Sequence, residues 1–188
     1  MINHSLWLFC HLWRDPSNWV SRSTVRLFPA TCAMFVVAWP SIAAPGILFA
    51  GGDWAAIDRG GSCEALARSV LIAPKGRSQA TAGFAFTPDR KRWGEFHAHL
   101  SRAPRAGSSV MLDIAGQPFL LVTRGDWAWS RGPRQEQAII AAARNAPAMR
   151  IEARDGSGRR FVDTYALGGA PTAIDAAAAA CAGKTSPR

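Results

Sequence analysis

The stretch Phe161–Cys181, FVDTYALGGAPTAIDAAAAAC, decides the fold. It reads as a strand, a break at Gly168-Gly169, and a short helix that ends in a cysteine. Side chains alternate along a strand, so Phe161, Asp163 and Tyr165 share one face. Asp163 is then expected to be a buried, hydrogen-bonded acid with a structural role. Pro171 suits the first turn of the helix. Ile174, Ala177, Ala178 and Cys181 follow at i, i+3, i+4 and i+7, which puts Cys181 on the buried stripe.

That cysteine needs a partner. The chain has four cysteines: Cys10, Cys32, Cys63 and Cys181. The first two lie in an apolar leader. Its removal leaves two, with neither a C-x-x-C pair nor a zinc-type spacing. In an exported domain two such cysteines pair, whereas in the cytosol they would be two buried thiols. A Cys63–Cys181 bridge would enclose nearly the whole domain and stabilise it by about 4–5 kcal/mol through loop entropy.

Upstream of this segment, Met149, Ile151 and Ala153 alternate with Arg150, Glu152 and Arg154, giving a half-buried strand. Asp155-Gly156-Ser157-Gly158 is the turn that returns it. Pro133–Asn145 is a helix, with Pro133 in its first turn, Glu136 near its positive end and Arg144 near its negative end. Ser109–Ile114 and Pro118–Thr123 form a hairpin over Ala115-Gly116-Gln117. Asp126–Trp129 either extends the sheet or packs over the core as a loop. Trp93–Leu100 places Phe96, Ala98 and Leu100 on one face and Trp93, Glu95, His97 and His99 on the other. Thr81–Thr87 and Asp53–Asp58 read as further strands, and Ser62–Ile72 as a strand or a helical turn, with strand favoured because the Arg59-Gly60-Gly61 turn leads straight into it. The expected fold is α+β and mostly β. It is an antiparallel sandwich or half-barrel with one helix at 133–145 and a C-terminal helix at 171–182.

The 188 residues suit one domain and a leader, and the 48% apolar content is that of a globular chain. In residues 1–50, Arg14, Arg22 and Arg26 precede an apolar run from Leu27 to Trp39, followed by Ser41 and Ala43 at the −3 and −1 positions of a cleavage site. This is the order of a secretory signal peptide within about 25–50, and a second cut is available after Ala50. Pro29, Pro40 and Pro45 interrupt the run, which disfavours a membrane helix; an uncleaved anchor is the alternative. Residues 1–24, with three tryptophans and no clean period, read as an over-extended start. The folded domain is then 51–183, followed by a polar tail at 184–188. The formal net charge is +9. Residues 1–50 hold three of the 22 basic and one of the 13 acidic residues, which leaves a net +7 on the remainder. Such a surface favours an anionic partner. The basic residues are scattered, so no specific nucleic-acid site is expected, and contact with a membrane is expected only through an uncleaved leader.

A short helix, a strand, an Asp-Gly turn, a strand, then Leu167-Gly168-Gly169-Ala170 and an alanine-rich helix is similar to the C-terminal half of the invasion-associated locus B family. Gly52-Asp53-Trp54 with Cys63 soon after resembles the start of that family, so the likeness runs from about Gly52 to Gly183. It implies an exported, periplasmic or secreted, β-rich domain of the Gram-negative envelope. Family members often carry further cysteines in the first half and middle, where this chain has Cys63 alone.

No catalytic constellation is recognised. There is no Gly-x-Ser-x-Gly elbow, and Asp155–Gly158 lacks the lysine of a phosphate loop. His97 and His99 point the same way on a strand, with Glu95 beside them. They are the metal candidates, although no third nitrogen or sulfur ligand is in view. Trp93, Trp127 and Trp129 are the candidate binding face, a platform for a glycan or a peptide. The expected function is a non-enzymatic envelope binding module without a cofactor, its partner an envelope protein or an anionic surface. The alternatives are a metal-binding protein or enzyme on the His97 face, and a module anchored by its leader.

Overall fold

The structure, a computed structural model, describes residues 46–184. The expected leader up to Pro45, with Cys10, Cys32 and the Ala43 cleavage site, lies outside the described residues, as does the tail after Lys184.

Ten strands and two helices follow one another as β1 (Gly46–Gly51), β2 (Trp54–Asp58), β3 (Cys63–Arg68), β4 (Thr81–Phe86), β5 (Trp93–His99), β6 (Val110–Ile114), β7 (Gln117–Arg124), β8 (Trp127–Trp129), α1 (Pro133–Ala143), β9 (Ala148–Arg154), β10 (Arg160–Ala166) and α2 (Ala170–Ala182). The strands make one sheet in the order β1-β2-β3-β4-β5-β8-β7-β6-β9-β10. Every pairing is antiparallel. The mostly β, α+β expectation therefore holds. Of its two forms, the half-barrel describes the molecule better, because a single sheet curls instead of two sheets stacking. The three-residue β8 stitches β1–β5 to the remaining strands. The Val70 amide, just past β3, donates to the Thr164 carbonyl on β10 at 2.8 Å, so the far edge of the sheet returns to its beginning.

The alternation read from the sequence builds one apolar inner face. Trp54, Phe84, Phe96, Leu112, Ile151 and Tyr165 are each at most 2% exposed on it. The helices cover this face, α2 against β1–β4 and α1 against β5–β7. Buried Glu136 ties α1 to the sheet by accepting a hydrogen bond from Ser130 Oγ at 3.1 Å, and burial raises its pKa. Asp163, 3% exposed, accepts from the Ser101 amide at 2.9 Å, in keeping with the structural role expected for it.

Three sequence expectations need correction. Gly46–Ala50, expected in the leader, forms β1 together with Gly51, paired with β2 across a Gly52-Asp53 turn. Its Ile47-Leu48-Phe49 run continues the hydropathy of the preceding segment, which hides the hairpin. The strand expected over 62–72 ends at Arg68, where the chain leaves the sheet as a loop. The third correction concerns Trp93. Gly94, at φ 82°, is an extra residue that shifts the β4–β5 register between Ala85 and Phe86. The bulge rotates Trp93 to the inner side, edge-on to Phe86 with ring centroids 5.4 Å apart. A Cβ on Gly94 would lie 2.6 Å from Ile140 Cδ1, so α1 itself rests on the bulge.

The segments Gly52-Asp53-Trp54 and Leu167-Gly168-Gly169-Ala170 meet in space. Asp53 N donates to Gly168 O at 3.0 Å, and Trp54 Nε1 donates to Ala166 O at 2.9 Å. A Cβ on Gly52 would come within 2.2 Å of Gly168 O, and one on Gly169 within 2.1 Å of Gly51 O. Only glycine permits so close a crossing, and both residues also hold positive φ. At the opposite end of β2 and α2, Cys63 and Cys181 form the expected disulfide, with Cα atoms 5.7 Å apart and a sequence separation of 118. Lys184 closes the same end by pairing with the Asp58 carboxylate.

Candidate functional site

The outer face of the sheet mixes polar side chains with scattered aliphatics such as Ile47 and Val122, and its aromatic cluster lies at β8. There Trp127 and Trp129, two apart on a strand, project together. Their rings stack at 18° with centroids 6.1 Å apart. Register sets them beside β5, with Trp129 opposite His97 and Trp127 opposite His99. The Trp127 ring lies 5.1 Å from the His99 ring and 6.3 Å from the His97 ring. On the other side of β5, Gly83 is the cross-strand neighbour of both His97 and Leu66. A Cβ there would fall 2.5 Å from Leu66 Cδ2 and 3.3 Å from His97 Cε1. The missing side chain leaves room for those two groups to lean together and form a floor.

The result is an open depression of about 560 Å³, with the indoles as one wall and Arg59, Glu64, Arg92 and Thr81 around the rim. The rim charges are paired. Arg59 Nε lies 2.5 Å from Glu64, and Arg92 lies 2.8 Å from Glu95. His97 is 7% exposed, and its Nδ1 is buried without a hydrogen-bond partner. Burial lowers its pKa below the ordinary histidine value, against an opposing pull from the Glu64 carboxylate, so the ring is neutral at pH 7.

No family model, curated protein or solved structure matches this chain. The chemistry of the depression must therefore be read from its own groups. His97 makes no hydrogen bond to a carboxylate or hydroxyl among the described residues, so it heads no proton relay. The metal candidates do share a face, as the alternation requires, but their donors turn apart. Glu95 faces Arg92, His99 Nε2 meets Asp126 Oδ2 at 3.0 Å, and His97 points into the floor. Among the described residues no group of three or more His, Cys, Asp or Glu side chains is placed to hold a metal. What remains is a flat aromatic wall with a polar rim, an arrangement that stacks on the apolar face of a ring and hydrogen-bonds its edge.

Of the expected binding trio, Trp127 and Trp129 come together and Trp93 does not. Trp93 lines a separate depression of about 530 Å³ between α1, α2 and the β4–β5 turn. There Arg90 sits 4.6 Å above its ring, and Arg144 of α1 pairs with Asp175 of α2. The contributions of Gly83, Leu66 and Arg59 were missed. An isolated glycine inside the alternating run TAGFAF is the signal that marks such a close approach.

Proposed function

We propose that this protein is a non-enzymatic binding module of the Gram-negative envelope, similar to the invasion-associated locus B family, which takes a glycan on the Trp127–Trp129–His97 shelf. The observation that carries the reading is the stacked indole pair on the outer sheet face, with an unpartnered imidazole nitrogen beneath it. Aromatic walls with polar rims suit sugar rings, whose axial C–H groups stack while their hydroxyls bond at the edge. Support for the family and for export comes from the meeting of Gly52-Asp53-Trp54 with Leu167-Gly168-Gly169, and from a disulfide of the kind that persists in oxidising compartments.

Calorimetric titration with soluble peptidoglycan fragments and lipopolysaccharide core oligosaccharides tests the binding. One of these should bind, and Trp129→Ala should weaken it by about tenfold or more, as loss of an aromatic anchor does. Equal affinity in the variant would refute the shelf. Export is tested on protein recovered from the cell envelope. N-terminal sequencing should return a start at Ala44, because a cut after Ala50 would remove most of β1. A start at Gly51 would still mean cleavage, at the second site, whereas an intact leader in the membrane fraction would contradict export.

A further inference from the structure

The loop between β3 and β4, residues 69–80, inverts the usual arrangement of polar and apolar groups. Its polar atoms are satisfied inward by one side chain. Gln79 Nε2 donates to Ser69 Oγ at 2.7 Å and to Leu71 O at 3.1 Å, while Gln79 Oε1 accepts from the Ala73 amide at 2.8 Å. Ser69 N bonds Ala80 O at 2.9 Å, which closes the base of the loop. With the backbone fixed this way, three consecutive aliphatic side chains face solvent. Val70, Leu71 and Ile72 are 63%, 76% and 73% exposed. Water alone gives no reason to brace such a run outward.

Charge identifies what covers it. Arg68, Lys75 and Arg77 flank the run, all exposed, and none forms an ion pair among the described residues. From Ala65 to Pro88 the chain holds no acidic residue. An aliphatic tip ringed by unpaired cations on a net basic domain matches an anionic bilayer surface, where apolar side chains enter the acyl boundary and cations meet lipid phosphates. A protein groove would accept the tip but would leave the cations unexplained. We infer that the 69–80 loop docks the domain on anionic lipid through Val70, Leu71 and Ile72, with Arg68, Lys75 and Arg77 on the headgroups. This contact requires neither the leader as anchor nor the aromatic shelf.

Vesicle co-sedimentation of the full chain tests it, with phosphatidylethanolamine vesicles containing phosphatidylglycerol compared with neutral phosphatidylcholine vesicles. The protein should sediment with the anionic vesicles, and raised salt should weaken the association. Leu71→Asp/Ile72→Asp should lower partitioning by about tenfold or more. Lys75→Glu/Arg77→Glu should lower it by about tenfold or more on anionic vesicles alone. Ile47→Asp/Leu48→Asp, which alters the other exposed aliphatic pair on β1, should sediment like the parent. These loop side chains carry little of the fold, so thermal melts of the loop variants should superimpose on the parent's. The lysine–arginine pair gives a separate reading should the aspartates unfold the loop. Equal sedimentation of parent and loop variants would assign membrane binding to the leader or another surface and overturn the proposal. Absence of any preference for anionic vesicles would overturn it as well.

Discussion

The two faces of the sheet both carry aromatic rings, and they use them differently. Inside, Trp54, Phe84 and Phe96 are at most 2% exposed, and Phe84 meets Phe96 edge-on at 5.5 Å. Outside, Trp127 and Trp129 stack beside buried His97 but leave ring surface to solvent, and Trp127 is 38% exposed. Inner rings contribute through apolar area removed from water; outer rings hold geometry and keep area in reserve. The contrast teaches that aromatic content does not mark function in this chain. Which face a ring occupies does, and for Trp93 that was settled by one glycine.

The largest expected effect belongs to the disulfide at one end of the inner layer. Cys63→Ser/Cys181→Ser should lower unfolding free energy by about 4–5 kcal/mol, because the bridge closes a loop of over a hundred residues. Chemical denaturation of parent and variant would check it, and an unchanged midpoint would break the contrast by showing that the inner face needs no staple. Next comes Phe96→Ala, expected to cost about 3–5 kcal/mol as a cavity in a dry core. Trp129→Ala on the opposite side of the same sheet should cost about 1 kcal/mol. Equal losses from the two substitutions would erase the distinction between the faces. Gly94→Ala should cost about 1–3 kcal/mol, because it meets Ile140 and strains a left-handed backbone.

How much of this was legible in the sequence depends on the signal each residue carried. Strict alternation over Met149–Ala153 and Thr81–Phe86 located strands because one face of each is buried. Helical spacing from Ile174 to Cys181 identified the buried cysteine, and the end-to-end disulfide followed. The hairpin at Gly46–Asp58 was hidden because its first strand is apolar and follows an apolar leader. The shelf was half visible. Trp127 and Trp129 are two apart and must share a face, whereas the floor at Gly83, Leu66 and His97 depends on cross-strand register that a linear pattern does not contain. Trp93 was misplaced because a period of two assumes no bulge, although Gly94 inside a strand run was the warning.

A smaller effect sharpens the comparison at the β9–β10 turn. Asp155 accepts from Ser157 Oγ at 2.6 Å, from Ser157 N and Arg159 N at 3.0 Å each, and from Arg102 at 3.1 Å. The serine hydroxyl first, and then the other donors, hold its pKa near 2, below its unfolded value of 3.8. As pH falls below about 4 the unfolded chain takes up this proton first, so stability present above that value drains away toward pH 2. Thermal melts between pH 5 and 2 should show a shallower acid decline in Asp155→Asn than in the parent. The same slope in both would place the acid sensitivity elsewhere.

The most direct test of the division between faces follows the indole Nε1–H signals by NMR while the peptidoglycan and core oligosaccharides are titrated in. Trp127 and Trp129 should shift and saturate together, while Trp54, whose Nε1 is committed to Ala166 O, stays fixed. Shifts at Trp93 without Trp127 and Trp129, or none at any indole, would contradict a ligand face on the outside of the sheet.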